Sequence, residues 1–336
     1  MLTRRDLLRT LPMAAGALCG CGKPVARARY RLPKKPLSVV TSTVQAADLV
    51  RCIGGEAVTV SSLIPPLANP HLWQPVAADY AKLQMADVFF LSGLGLEAKF
   101  TADLNALRNG GLFAGVLANS LTDQDVLKRA DGSPDPHFWM DPRLWAKAAA
   151  QAADVLTEAY PQAGLWFSDR AHECSNDLRQ LHDTALRDYG ALPARARFLF
   201  SSHDSMAYFG AAYGLQTRSL ANSAGETPRQ FPEALTSWLS ENHVRNLFRE
   251  HFADAKLVRA IARPLNLVSD PQIFSLSLGL PGTILAGLSS ETDVGTFLPA
   301  LRYTLESVKA QLDLAEACCG IPPRSLQACP LRRTAC

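Results

Sequence analysis

Short apolar runs rich in β-branched and aromatic residues recur along the chain, and longer stretches whose apolar positions return every three or four residues lie between them. The first set of runs is "LSVVTST" (37–43), "AVTVSSLI" (57–64), "DVFFLSG" (87–93) and "LFAGVLA" (112–118). After residue 195 the alternation resumes with "RFLFSS" (197–202), "LQTRSLA" (215–221), "RNLFRE" (245–250), "LNLVSD" (265–270) and "TILAGL" (283–288). Strands that alternate with helices pair in parallel and carry the helices on their faces, so the pattern predicts an α/β chain with two mainly parallel sheets. The stretch 161–190 separates the two sets. It contains no turn dipeptide and spaces Ala171, Cys174, Leu178, Leu181 and Ala185 at helical intervals. This predicts one amphipathic helix about 40 Å long, a stiff strut from one sheet unit to the other.

Three histidines fall at informative places in this pattern. His71 lies in "NPHLWQP" (69–75) and His137 in "DPHFWMDP" (135–142), so the chain twice sets a histidine just after a proline and two residues before a tryptophan. His203, in "FLFSSHDS", follows the end of a predicted strand, the edge at which open α/β sheets bind ligands. Each is 66 residues from the next, so only a tertiary cleft unites them. The prolines restrict the loops that carry the first two. Asp135 and Asp204 are placed to accept a spare ring N–H and fix a tautomer, and Trp73 and Trp139 to wall the site from water. Three neutral imidazoles plus one oxygen suit a borderline ion such as Zn²⁺. The bland alternative is that loop histidines are simply solvated, and His172, His182, His243 and His251 are read that way.

Composition narrows the classes. With 336 residues, 48% hydrophobic and 19% charged, the chain has room for two packed lobes. Of the formal charge of +3, the first twenty residues carry two units (Arg4, Arg5 and Arg9 against Asp6). The rest is near neutral, which excludes the basic stripe of a nucleic-acid binder. The N-terminal "TRRDLLRTLPMAAGALCGC" reads as an export signal with a twin arginine, and its apolar part, 7–18, is shorter than the ~20 residues of a membrane span. Leu18-Cys19-Gly20-Cys21 resembles a bacterial lipobox, which makes Cys21 the lipidated first residue of the mature chain. Cys52 and Cys174 sit alone, while Cys318, Cys319, Cys329 and Cys336 crowd the C-terminus, where an exported chain pairs cysteines as disulfides more often than it binds metal.

Several phrases in order resemble the zinc- and manganese-type solute-binding proteins of bacterial ABC importers: "SLIPPLANPHLWQPVAADYAKLQMADVFFLSGLGLE" (62–97), "DPHFWMDP" (135–142), "SSHDSMAYFGAAYGL" (201–215), "GETPRQ" (225–230) and "LFREHFADAKLVRAIARPLNL" (247–267). The resemblance implies two α/β lobes, each a mainly parallel sheet flanked by helices, joined by one long helix with a metal cleft between them. The corresponding division is a signal at 1–20, an N-terminal lobe at 36–160, the helix at 161–190, a C-terminal lobe at 195–315 and a cysteine-rich tail at 316–336. It implies ligands at His71, His137 and His203. Glutamate is common at the third position in manganese members, so histidine there points to zinc, with manganese second. Glu226 and Glu250 match acidic positions near the cleft without a ligand role. The expected protein is a monomeric, lipid-anchored extracytoplasmic receptor that hands a divalent ion to an inner-membrane permease and is no enzyme.

One departure stands out. The family's fourth ligand is an aspartate, and "FSLSLG" (274–279) places Leu276 there. The site then consists of three histidines plus water, or takes an oxygen from Asp270, Ser275, Ser277 or a cleft glutamate, or has lost its metal. Two other classes remain beside the receptor: a zinc-dependent hydrolase with an open fourth position, and a metal-free adhesin or interaction protein of the same fold.

Overall fold

The computed structural model of the chain describes residues 30–221, 233–269, 271–286 and 291–317. The leader with Cys21, the cysteines from Cys318 onward, Glu226 and Asp270 lie outside the described residues.

The first unit runs β1 (Leu37–Thr41), α1 (Val44–Gly54), β2 (Val58–Ser62), α2 (Ala77–Gln84), β3 (Val88–Leu91), α3 (Ala98–Asn109) and β4 (Phe113–Val116). Its four strands are parallel in the order β2-β1-β3-β4. Because successive side chains of a strand point to opposite faces, Val39, Val88 and Phe90 join one core and Val40, Phe89 and Leu91 another. The first core is completed by Ala46, Leu49, Val50 and Ile53 of α1 and by α4 (Pro142–Ala159). The second takes Leu83 of α2 with Phe100 and Leu104 of α3. Thr43 caps α1 by accepting the Ala46 N–H at 3.2 Å, and Asp141 caps α4 ahead of Pro142 by accepting the Arg143 N–H at 2.9 Å.

The buried side of α4 is largely alanine, including Ala146, Ala148, Ala149, Ala152 and Ala153. Small side chains let α5 (Gly164–Gly190) come close enough for Ser175 Oγ to donate to the Ala146 carbonyl at 3.2 Å. α5 is one continuous helix of 27 residues, about 40 Å long, and a 3₁₀ turn, Pro161–Ala163, leads into it. Near its start Trp166 Nε1 donates to the Gly54 carbonyl at 2.8 Å; near its end Tyr189 Oη donates to the Leu305 carbonyl at 2.7 Å. One helix therefore carries both units.

The second unit contains β5 (Phe198–Ser201), α6 (Ala207–Tyr213), β6 (Gln216–Ser219), α7 (Glu233–Glu241), β7 (Arg249–Glu250), α8 (Ala255–Ala262), β8 (Gln272–Ile273), β9 (Ile284–Ala286), β10 (Glu291–Asp293) and α9 (Phe297–Ala317). β6 pairs with β5 and β7 with β8, all in parallel, and a bridge between Ser201 and Phe248 joins the pairs. Leu199 faces the core shared with α5 and α9, whereas Phe200 meets α7 and α8.

Three expectations need correction. The run 265–270 is not a continuous strand: Asn266 turns left-handed (φ 54°), Val268 makes a single bridge to Asn246, and β8 starts only after Pro271, which has no N–H to give a ladder. The run 283–288 contributes β9, but β9 pairs antiparallel with β10 in a hairpin outside the parallel sheet. His182 is no solvated histidine; it is buried, with its ring 5.5 Å from that of Tyr213.

The alanine face of α4 leaves no room for larger groups. Ala149→Leu is expected to cost about 1–3 kcal/mol of stability by overpacking, checked by chemical denaturation of the parent chain and the variant.

Candidate metal site

His71 sits in the loop between β2 and α2. Asn69 Oδ1 accepts the His71 backbone N–H at 3.0 Å, an Asx turn that fixes the ring's approach. The same loop is tied to the second unit, because the Leu67 N–H, in left-handed backbone (φ 68°), donates to Ser277 Oγ at 2.7 Å. Trp73 does not cover the imidazoles: it stacks on Phe100, 5.5 Å between rings, and lines with His71, Pro70 and Glu97 a hollow of about 200 Å³.

His137 precedes the 3₁₀ turn Phe138–Met140 that feeds α4, and it is fully buried. Asp135 Oδ1 accepts both the His137 backbone N–H at 2.9 Å and its ring Nδ1–H at 2.6 Å. With the proton fixed on Nδ1, the Nε2 lone pair of His137 points into the site. Burial alone would raise the Asp135 carboxyl, but the bonds from His137 hold it below the usual carboxylate range. Trp139, wholly buried, packs against His137 edge-on with ring centroids 5.5 Å apart, and its Nε1–H donates to the Ser275 carbonyl at 2.6 Å.

His203 follows β5 at the carboxyl edge of its sheet. Ser201 Oγ and the Ser205 N–H both donate to its carbonyl, at 2.8 and 3.0 Å, so the turn is fixed by its own serines. Among the described residues Asp204 makes no hydrogen bond to this ring, so the orienting role expected of Asp204 is not fulfilled; Asp204 is half-buried, and burial and the neighbouring Asp135 push its carboxyl up. His203 Nε2 is buried with no hydrogen-bond partner.

The three imidazoles converge. His71 Nε2 lies 3.0 Å from His137 Nε2, the ring centroids are 5.1 to 5.8 Å apart, and one ligand atom from each of the three falls within 4.8 Å of the others. A tetrahedral ion with nitrogen ligands at ~2.0–2.1 Å holds them about 3.3 Å apart, so the donors stand close to the spacing such an ion requires. Burial first, and then His137 and Arg129, depress His71 to about 3; burial, His137, His71 and Arg129 depress His203 to about 2. Both rings are therefore neutral donors across the physiological range.

No carboxylate of the described residues joins this group. Leu276 is buried in the main core. Ser275 Oγ bonds Ser205 and Glu250, Ser277 Oγ donates to the Leu278 carbonyl, and Glu250, raised by burial, also accepts the Ser275 N–H and Ser205 Oγ–H. Each of these oxygens is thus already engaged. Two groups escaped the sequence reading. Arg129 sets a positive charge near His71 and His203, and its buried Nε and Nη2 have no hydrogen-bond partner. Glu97 pins the end of β3 to the loop after β1 through Ser42 Oγ and the Ser92 and Gly93 N–H groups. The phrase "GLGLE" was visible in sequence, but nothing in it announced that bond.

A pH prediction follows. The folded-state values of His71 and His203 lie below the unfolded value of 6.5, so the unfolded chain binds more protons as pH falls. Their contribution to stability is complete above pH 6.5 and is lost on the way down toward pH 3. Buried Glu97 and Glu250, raised, act in the opposite sense, so the difference between chains is the readout. Between pH 6.5 and 5 the melting temperature of metal-stripped His203→Asn is expected to fall less than that of the parent; parallel curves would contradict the assignment.

A family model described as zinc-uptake complex component A, periplasmic, matches residues 39–310. The manganese-binding lipoprotein MntA of Bacillus subtilis is 29% identical over 288 residues, covering 83% of this chain and 93% of the relative. The zinc-binding protein TroA of Treponema pallidum is 27% identical over 315 residues, covering 92% and 99%. The solved structure of periplasmic zinc binding protein TroA from that organism superposes with a TM-score of 0.74 at 25% identity, over 82% of this chain and 99% of that one. With most of its length matched, the chain belongs to the family of periplasmic zinc-uptake components.

Proposed function

We propose that this chain is the extracytoplasmic solute-binding component of an ABC importer and that it carries Zn²⁺ as cargo on His71, His137 and His203. The observation that supports this most is the convergence of three imidazole nitrogens, two of them on buried residues, one oriented by Asp135 and one without any hydrogen-bond partner. Relatives named for both manganese and zinc share its length. The donor set favours zinc: imidazole suits Zn²⁺, carboxylate and water suit Mn²⁺, and no carboxylate of the described residues reaches the three nitrogens. The fourth position then falls to water, since the serine and glutamate oxygens beside Leu276 are engaged in hydrogen bonds.

Placement outside the cytoplasm agrees with the export signal and with relatives named as lipoproteins. No helix of the described residues is long and apolar enough to cross a membrane. The reading keeps Cys21 as the lipid anchor, a monomeric receptor and an inner-membrane permease as the partner that takes the ion. Membership of a family of binding components sets the hydrolase reading aside.

Titration of metal-stripped protein with Zn²⁺ and Mn²⁺ is the test, following stoichiometry and melting temperature. One Zn²⁺ per chain with a raised melting temperature is expected, Mn²⁺ binding more weakly, and both effects are lost in His137→Ala. Asp135→Asn should weaken Zn²⁺ about 10–100-fold, since it removes the group that orients His137. Leu276→Asp is expected to lower the melting temperature of the metal-stripped protein, by burying an unpaired carboxylate, and to tighten Zn²⁺ binding. Unchanged Zn²⁺ affinity in Leu276→Asp would contradict the position given to that residue.

A further inference from the structure

Cys52 and Cys174 are far apart in sequence and belong to different helices, α1 and α5. The fold brings them together. The Cys52 carbonyl accepts the Arg170 Nε–H at 2.7 Å, one helical turn before Cys174, and the Gly54 carbonyl accepts the Trp166 indole one turn earlier still. Cys174 is buried in the main core and Cys52 packs against that core half-buried, the two thiols near enough for each to shift the other's ionisation. A pair of neighbouring thiols outside the cytoplasm meets oxidants that a cytoplasmic pair does not.

We infer that Cys52 and Cys174 form a disulfide in the exported protein, stapling α1 to the long helix α5. This does not rest on the metal reading, only on export. The chemistry is exchange with a protein or small-molecule disulfide of the extracytoplasmic space. The Cys52 thiolate attacks one sulfur of that disulfide and expels the other as a thiol. Cys174 then displaces the mixed disulfide, so the chain loses two protons and two electrons and the oxidant leaves as two thiols. Cys52 is suited to attack first: the Cys174 thiol holds it below its usual range against burial, Arg170 adds to this, and it is the more exposed of the two. Cys174, pushed up by Cys52 and by burial, is suited to resolve.

The staple closes a loop of roughly 120 residues, and a longer closed loop constrains the unfolded chain more than a short one. It also holds α1 in place. α1 is capped by Thr43 and sends Gln45 across to the Ser275 carbonyl, which also receives the indole of Trp139, two residues from His137. Oxidation is therefore expected to stiffen the support of the site without touching a histidine.

The experiment uses full-length protein from the extracytoplasmic fraction, alkylated without reduction, cut with trypsin and read by mass spectrometry. The expected product is the peptide that begins at Cys52 joined to "AHECSNDLR" (171–179), disappearing on reduction with dithiothreitol. The melting temperature should drop by several degrees on reduction of the parent chain, and Cys174→Ala should match the reduced parent whether or not reductant is present. Should Cys174→Ala fail to fold, Cys52→Ala, at the more exposed position, gives the same readout. Recovery of both residues as alkylated free thiols, or of Cys52 joined to a cysteine of 318–336, would overturn the inference.

Discussion

The Ser275 carbonyl holds the two lobes in register. It accepts the Trp139 indole N–H at 2.6 Å and the Gln45 side-chain N–H at 3.4 Å, both from the first unit. Ser275 belongs to the segment "FSLSLG" of the second unit, and its own hydroxyl and N–H are taken by Ser205 and Glu250. His137 is two residues before Trp139 and His203 two before Ser205, so the same clasp sets the distance between two of the three imidazoles. A buried carbonyl with two donors cannot be released cheaply. The site therefore depends on a polar contact that contains none of its own nitrogens.

From that clasp the chemistry follows in order. Asp135 fixes the His137 tautomer, burial keeps His71 and His203 neutral, and the loop carrying His71 is held by Asn69 and by Ser277 across the lobes. Neutral, preoriented imidazoles bind a divalent ion without first losing protons, which lowers the pH cost of loading. Leu276, where the resemblance expects an aspartate, offers no anionic ligand to offset the ion's charge, and Arg129 adds positive charge near His71. Both features work against permanent retention, which suits a carrier that has to give its ion up.

Much of this was legible in the sequence because local rules govern it. The alternation of runs gave the first parallel sheet strand by strand, and the spacing over 161–190 gave the continuous α5. The three histidines were found because two carry a repeated proline-histidine-tryptophan phrase and the third sits at a strand's carboxyl end. What was not legible depends on contacts between distant positions. Cys52 and Cys174 read as solitary until α1 met α5; Glu97 and Arg129 act through partners elsewhere in the chain. The run 265–270 looked like a strand because Leu265, Leu267 and Val268 are apolar, yet Asn266 in left-handed backbone and Pro271 confine its pairing to one bridge. Leu276 was seen in sequence as a missing ligand, and the fold adds that its side chain is core packing.

On the function proposed above, His71, His137 and His203 hold one ion together. X-ray absorption at the zinc edge of the one-to-one complex tests it most directly. Three imidazole nitrogens at about 2.0–2.1 Å with a single further oxygen are expected. A shell with sulfur, drawn from the cysteines of the C-terminal residues, or with fewer than three imidazoles would contradict it.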